Sequence, residues 1–226
     1  MKKYISSLVF ALGILIGSSA FSEMPPPPNY SQSPGWLERA AISGDAASQY
    51  LLAQKLEAGL GGDPDIVAAA KWYAKAAVQG NAAAQFRLGE LYYAGKGLSK
   101  DLAQAAKWFE RAKDKGSVAA AYNLGLMYER GLGVEKNFAK ASALYQWAAN
   151  AGIAPAQVNL AFLYMQGKGV LKDNGRALMW LEIARRSGIA VPTAILDSLK
   201  AKMSPGEVES AIQMALNRKT QIKKSN

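Results

Sequence analysis

Three glutamates are the residues of this sequence best suited to chemistry. Glu57, Glu90 and Glu129 lie in segments with helical spacing, and a glycan-cleaving enzyme needs only two carboxylates about 5–10 Å apart. They fall in different units of the 36-residue repeat described below, and not all at the same position of the unit. The spacing therefore does not show which two of these glutamates would lie close together. The chain contains no histidine and no cysteine. It therefore lacks the residues of a Ser-His-Asp triad, a thiol nucleophile, a disulfide or a cysteine-ligated zinc.

These features predict a protein that is not an enzyme, with no catalytic, cofactor-binding or metal-binding residues. The net charge bears on the kind of partner: the chain has 27 lysines and arginines and 17 acidic residues, which gives a net charge of +10. Without Lys2 and Lys3, which lie in a segment expected to be removed, 25 basic and 17 acidic residues leave +8. Such a balance favours anionic partners, although lysines that only solvate helix faces are the alternative. We predict no nucleic-acid partner.

Residues 1–22 have the pattern of a secretory signal peptide. Two lysines precede an apolar run from residue 4 to 17, and the small residues Ala20 and Ser22 precede Glu23. The run of 14 residues is shorter than the roughly 20 that span a bilayer. We therefore expect cleavage before Glu23, a mature form that does not span the membrane, and export to the periplasm or beyond in a bacterium. Cleavage after Ala20 and retention as an anchor are the alternatives.

The segment that follows, 23–35, contains four consecutive prolines at 25–28. It predicts a stiff polyproline II linker.

From residue 36 to 188 the sequence repeats every 36 residues. Tryptophans or one leucine mark the period, and a glycine follows each eight residues later: Trp36, Trp72, Trp108, Leu144 and Trp180, with Gly44, Gly80, Gly116, Gly152 and Gly188. A period of this length indicates stacked supersecondary units.

Residues 81–116 show the unit most clearly. Ala84, Leu88 and Tyr92 share one face of a first helix, and the glycine-rich stretch 94–100 ends it. Asp101 is expected to cap a second helix and Gly116 to follow its end. Each unit is therefore predicted to be an antiparallel helix pair. Small residues at 53, 89, 125 and 161 are expected to let helix backbones approach closely, and the tryptophans to fill the space between neighbouring pairs.

The run Ala-x3-Leu-Gly-x2-Tyr-x2-Gly-x-Gly, followed by Asp, Ala-x2-Trp and a closing Gly, extends from Ala84 to Gly116. It resembles the Sel-one-like repeat (SLR), a 36-residue relative of the tetratricopeptide repeat. The resemblance covers about residues 36–188 and departs from the pattern at Leu144 and around Leu52. It implies an all-α protein, a right-handed α-solenoid of about four to five antiparallel helix pairs, and a role as an adaptor or scaffold.

The C-terminal part, 189–217, is expected to cap the solenoid with further helices. Ser204, Pro205 and Glu207 have the spacing of a capping box with proline at the first helical position. Residues 218–226 form a basic tail. A terminal helix of this kind covers the open end of a repeat array.

The candidate partner-binding residues lie on the first helices, on the face away from the Leu/Tyr packing stripe. They occupy three columns with a step of 36: Arg87, Asn123 and Asn159; Glu90, Leu126 and Phe162; Tyr93 and Met165. Asparagine amides suit a peptide backbone, arginine suits a carboxylate, and the other side chains supply apolar contact. We predict an exported, non-catalytic scaffold that binds a peptide or helix of a protein partner in a concave groove. The alternatives are a basic binder of anionic cell-wall or lipid surfaces, and side chains that are merely exposed.

Overall fold

The computed structural model of the protein describes residues 35–225, with side chains to residue 218. The predicted signal peptide and, except for residue 35, the predicted linker lie outside the described residues. All regular elements within 35–225 are helices, which confirms the all-α class, and none is long and apolar enough to cross a membrane. The helices are α1 Trp36–Ile42, α2 Ala46–Glu57, α3 Ile66–Val78, α4 Ala82–Ala94, α5 Leu102–Asp114, α6 Val118–Arg130, α7 Phe138–Asn150, α8 Ala154–Gln166, α9 Asn174–Arg186, α10 Thr193–Lys200 and α11 Pro205–Ser225.

Local sequence signals set where these helices begin and end. The Asp101 carboxylate accepts the backbone N–H of Gln104 at 2.9 Å, as predicted for a cap. Equivalent caps are made by Asp45, Asp65, Asn81, Asn137 and Asp173. Gly116 follows the last residue of α5 and its cap with φ of +90°, a left-handed conformation that glycine adopts without strain. The helix-pair prediction for residues 81–116 is thereby confirmed.

The residues fall into two compact units. The first comprises 35–120 and 132–134; in it α1 packs on α2, α2 on α3, α3 on α4 and α4 on α5. Its core is rich in alanine, which lets the helices lie close together while a few larger side chains fill the remaining space. The buried cluster contains Ala53, Ala69, Ala70, Tyr73, Ala76, Ala77, Ala84, Leu88 and Leu91.

The second unit comprises 121–131 and 135–225. Here α7 packs on α8, α8 on α9, and both α10 and α11 on α9. Because α9 is covered from several sides, Trp180 is fully buried, with the Arg218 guanidinium of α11 5.3 Å from its ring centroid. The predicted capping box is present: Ser204 N–H donates to Glu207 at 2.7 Å, and Glu207 N–H donates to the Ser204 hydroxyl at 3.3 Å. The backbone of α11 stays helical to Ser225, through most of the predicted tail.

The loop of each repeat is closed by one recurring backbone hydrogen bond. The N–H of the residue that caps the second helix donates to a carbonyl near the end of the first helix, at 2.9–3.0 Å: Asp65 to Leu56, Asp101 to Tyr92, Asn137 to Tyr128 and Asp173 to Tyr164. The second glycine of the loop meets the preceding repeat. A Cβ on Gly169, whose φ is +69°, would lie 2.2 Å from the carbonyl of Phe138 at the start of α7. The Gly-x-Gly signal thus marks a close approach between repeats.

Two packing predictions need correction. The small residues Gly89 and Gly125 admit an aromatic ring rather than a helix backbone, since a Cβ at these positions would lie 2.7 Å from the Phe109 ring and 2.8 Å from the Tyr145 ring. The ring that fills the space between the two helices of a pair therefore belongs to the residue after the tryptophan position. Successive residues of a helix point about 100° apart, so this residue and the tryptophan face different sides of the helix.

The tryptophans themselves divide into two groups. Trp180 is buried as predicted, whereas Trp72 and Trp108 are half-buried. Lys75 covers the Trp72 ring with its ammonium 3.8 Å from the centroid, and Arg111 covers Trp108 at 4.5 Å. Both tryptophans pack against the buried cluster, as predicted, but one part of each ring stays exposed and is covered by a cation of the same helix.

Candidate partner-binding site

In the first unit, the predicted site residues Arg87, Glu90 and Tyr93 all lie on α4 and are half-buried. The Arg87 guanidinium bonds to Glu90 at 2.5 Å and also to Glu57 at the end of α2. Two of the carboxylates considered for acid–base chemistry are therefore held by one guanidinium. The predicted carboxylate-binding arginine is already engaged within the unit.

Two tyrosines complete this cluster around Glu57. Tyr73 donates its hydroxyl proton to the Glu57 carboxylate at 2.7 Å, and the Tyr50 ring centroid lies 5.7 Å from that of Tyr73. The Tyr50 hydroxyl accepts a hydrogen bond from Gln54 at 2.8 Å. Every side chain of the cluster thus has a polar partner, as groups removed from water require.

The electrostatics of the cluster follow from burial and close charges. Burial raises the pKa of Tyr73, and the hydrogen bond to Glu57 raises it further. Burial acts to lower the pKa of Arg87, but the Glu90 and Glu57 carboxylates outweigh it and raise that pKa. Burial also raises the pKa of Glu90 against the opposing effect of Arg87. The guanidinium therefore stays charged and holds the cluster together.

In the second unit, the predicted site residues lie on two first helices. Asn123 and Leu126 belong to α6, while Asn159, Phe162 and Met165 belong to α8. Four of the five are half-buried, but Asn159 has only 6% of its surface exposed. It therefore lies inside the unit, where its amide faces other side chains rather than open solvent.

The neighbours of Asn159 form a second tyrosine–glutamate cluster. Tyr145 donates its hydroxyl proton to Glu129 at 2.5 Å, and the Tyr122 and Tyr145 ring centroids lie 5.9 Å apart. Burial raises the pKa of Tyr145 well above its ordinary value and that of Tyr122 to about 12. The Asn159 amide lies close enough to both phenols to lower these pKa values in part.

This second cluster has unsatisfied polar atoms. Within the described residues, neither the Tyr122 hydroxyl nor the Asn159 amide nitrogen has a hydrogen-bond partner. Tyr122 has 1% of its surface exposed, so water does not freely replace the missing partner. Each such group carries a desolvation cost of about 1–3 kcal/mol.

The two clusters recur at a spacing of 72 residues, a feature that the sequence reasoning missed. Tyr50, Glu57 and Tyr73 correspond to Tyr122, Glu129 and Tyr145. The repeat between them has Phe86, Tyr93 and Phe109 at these columns, and its two phenylalanine rings lie 5.8 Å apart. The glutamate and the two tyrosines are therefore present together or replaced together in these repeats. Comparing every second repeat in the sequence would have revealed this pattern.

The described residues contain no group of three or more His, Cys, Asp or Glu side chains that could hold a metal ion. Their polar clusters consist of hydroxyls, carboxylates, amides and one guanidinium, contributed by first helices and by the second helices α3 and α7. This arrangement is suited to hydrogen bonding and charge pairing.

A family model described as the Sel1 repeat matches residues 11–45, 46–81, 82–117, 118–153 and 154–189. The chain belongs to the Sel1 repeat family. Proteins of this family generally act as protein-interaction scaffolds and are typically non-catalytic. The first matched repeat extends into the segment that the sequence predicts to be a signal peptide and linker. None of the curated proteins matches the chain.

Two solved structures illustrate the Sel1 fold of this chain. A Sel1 repeat protein from Oxalobacter formigenes is 33% identical with a TM-score of 0.68, over 80% of this chain and 76% of that one. The protective antigen c5321 of uropathogenic Escherichia coli, which displays an SLR fold, is 25% identical with a TM-score of 0.53, over 84% of this chain and 50% of the antigen.

Proposed function

We propose that this Sel1 repeat protein is an exported, non-catalytic scaffold that binds a segment of a partner protein on its first helices. The observation that carries the proposal is the placement of four partly exposed side chains on the first helices α6 and α8 of the second unit. They are Asn123, Leu126, Phe162 and Met165. One amide and three apolar side chains lie on these faces, which suits an extended peptide or a helix.

Affinity capture tests the scaffold proposal. The mature protein is the bait, an envelope fraction is the source, and captured proteins are quantified by mass spectrometry. Asn123→Ala combined with Phe162→Ala should reduce the captured partner about tenfold, since aromatic anchors dominate such surfaces. Trp147→Ala is the matched control, because Trp147 is a 38% exposed aromatic residue on the second helix α7.

The outcome of this capture separates the alternatives. Circular dichroism verifies that both variants are folded. Equal capture by wild type and by the double variant would remove the first helices from consideration as the binding face. Loss of capture with Trp147→Ala, but not with the double variant, would show that the partner binds the second helices instead.

Export is part of the proposal and has its own test. Intact mass of the protein recovered from a periplasmic fraction should correspond to a chain that begins at Glu23. A mass that retains residues 1–22 in the membrane fraction would favour an anchor. Recovery of the full-length chain from the cytoplasm would contradict export.

A second candidate function is binding to anionic cell-wall polymer or lipid. Lys100, Lys136 and Lys172 occupy the same loop position in three consecutive repeats, and all three are exposed. Attachment driven by these charges should weaken strongly as salt rises from about 0.05 to 0.5 M, because screening shortens the range of exposed charges. Retention on anionic vesicles that persists at high salt would count against it.

A further inference from the structure

The two tyrosine–glutamate clusters differ at three positions, and the main consequence is that the arginine of the first cluster is absent from the second. Gln54, Arg87 and Glu90 of the first cluster are replaced 72 residues later by Leu126, Asn159 and Phe162. In the first cluster, the Arg87 guanidinium contacts Glu57 and Glu90, and Gln54 supplies the hydrogen bond to Tyr50. The second cluster keeps the glutamate and the tyrosines but loses the internal cation.

The consequences of these replacements are visible in the second unit. Leu126 cannot donate to Tyr122 as Gln54 does to Tyr50, and the Tyr122 hydroxyl is without a partner. Asn159 is several atoms shorter than arginine, and its buried amide nitrogen lies near the Tyr122 and Tyr145 phenols without forming a well-aligned hydrogen bond. Within residues 35–218, no lysine or arginine makes an ion pair with Glu129, whose hydrogen bond comes from Tyr145. The Glu129 carboxylate therefore lacks the cation that its counterpart Glu57 has.

We propose that Glu129 binds the guanidinium of an arginine supplied by a partner protein, in the place that Arg87 takes beside Glu57. This inference rests on the proposed scaffold function and names the chemistry of one of its sites. The incoming guanidinium donates to the half-buried Glu129 carboxylate. The Phe162 ring, at the position of Glu90, offers a face on which the planar cation stacks.

Arginine fits this site better than lysine. The guanidinium has five donors in a fixed plane, so it can donate two parallel hydrogen bonds to one carboxylate while its face stacks on a ring, whereas an ammonium is a compact point charge. Arg130 is a nearby cation that partly lowers the pKa of Tyr122. It follows Glu129 directly on α6, and adjacent residues of a helix do not face each other.

The test uses the mature protein and a blocked tripeptide, Ac-Ala-Arg-Ala-amide. Its control is the same tripeptide with citrulline, which has the shape of arginine without the charge. Titration followed by NMR should show saturable binding of the arginine peptide, with shifts of the Asn159 side-chain amide, and affinity at least tenfold weaker for the citrulline peptide. Glu129→Gln should also weaken binding of the arginine peptide about tenfold or more, since charge-assisted hydrogen bonds are the strong ones.

The sequence supplies matched variants of the equivalent cluster. Glu57→Gln, at a carboxylate already paired with Arg87, should leave the affinity within about twofold. Asn159→Arg should place an internal guanidinium on Glu129 and abolish binding of the tripeptide. Arg87→Asn should open the first cluster and raise the stoichiometry from one peptide to two.

Several results would overturn the inference: equal affinity for the arginine and citrulline peptides, unchanged affinity in folded Glu129→Gln, or unchanged affinity in folded Asn159→Arg. If Glu129→Gln does not fold, the Asn159→Arg variant provides the test. We expect it to fold, because it adds to the second cluster the ion pair that the first cluster already contains. Site-specific tripeptide binding without capture of any partner would leave this site standing while the scaffold proposal fails. Capture through the first helices without tripeptide binding would reject this site alone.

Discussion

Tyr145 donates its hydroxyl proton to the Glu129 carboxylate across a 2.5 Å hydrogen bond. Removing it with Tyr145→Phe should lower the free energy of unfolding by about 2 kcal/mol, because a half-buried carboxylate loses a charge-assisted hydrogen bond. Tyr122→Phe should be neutral or stabilising, since its hydroxyl is buried without a partner. Urea unfolding of both variants measures the difference. Equal destabilisation by the two changes would contradict this description of the cluster.

Alkaline pH should destabilise the fold. Burial raises the pKa of Tyr122 to about 12 and raises those of Tyr73 and Tyr145. Between pH 10 and 12 the tyrosines of the unfolded chain release protons that the folded chain retains, so the unfolded state is favoured as pH rises. The stabilising contribution is complete below pH 10 and is lost above it.

Urea unfolding between pH 8 and 11.5 provides the measurement. Tyr122→Phe should make the decline of stability with pH shallower, since one raised phenol is removed. A free energy of unfolding that stays constant up to pH 11.5 would show that the buried tyrosines do not control this response.

Arg87 should contribute more to stability than an exposed ion-pair partner. Arg87→Gln leaves Glu57 and Glu90 without their cation, in side chains that are only 22% and 20% exposed. We expect a loss of about 1–3 kcal/mol, which Glu57→Gln in the same chain should partly restore. Lys55→Met is the control: Lys55 and its partner Glu38 are 40% and 39% exposed, so its loss should cost at most about 1 kcal/mol.

The experiment is a double-mutant cycle by urea unfolding. A loss with Arg87→Gln no larger than that with Lys55→Met would show that partial burial adds nothing to the Arg87 pair. Additive effects of Arg87→Gln and Glu57→Gln would show that the two side chains are not coupled.

The second loop glycine should tolerate no side chain. Gly169→Ala places a Cβ 2.2 Å from the Phe138 carbonyl, in addition to the strain of a φ of +69°. We expect a loss of about 2–4 kcal/mol from overpacking and backbone strain together. Gly188→Ala has the strain without the clash, because its φ is +95° and no atom lies within 4 Å of the added Cβ. It should cost about 1 kcal/mol.

Thermal and urea unfolding of the two alanine variants will show whether the contact between repeats matters. Similar losses for both would mean that the loop moves away from Phe138 at little cost.

The sequence by itself determined the helical repeat and most helix boundaries. Asp101, Gly116 and the Ser204–Glu207 box act on backbone groups a few residues away, so their effect is readable from local spacing. The three columns of candidate residues could also be placed on first helices, because a period of 36 returns each residue to the same position of the unit.

Only the tertiary structure decided how those side chains are used. Arg87 and Glu57 are 30 residues apart and meet because α2 and α4 both pack on α3. Asn159 was predicted on the face away from the packing stripe, yet it is buried beside Tyr122 and Tyr145. Burial and pairing depend on what the adjacent repeat carries at each column. A repeat pattern fixes the columns, but the residues of the neighbouring repeat decide whether a polar group there is paired, buried or left for a partner.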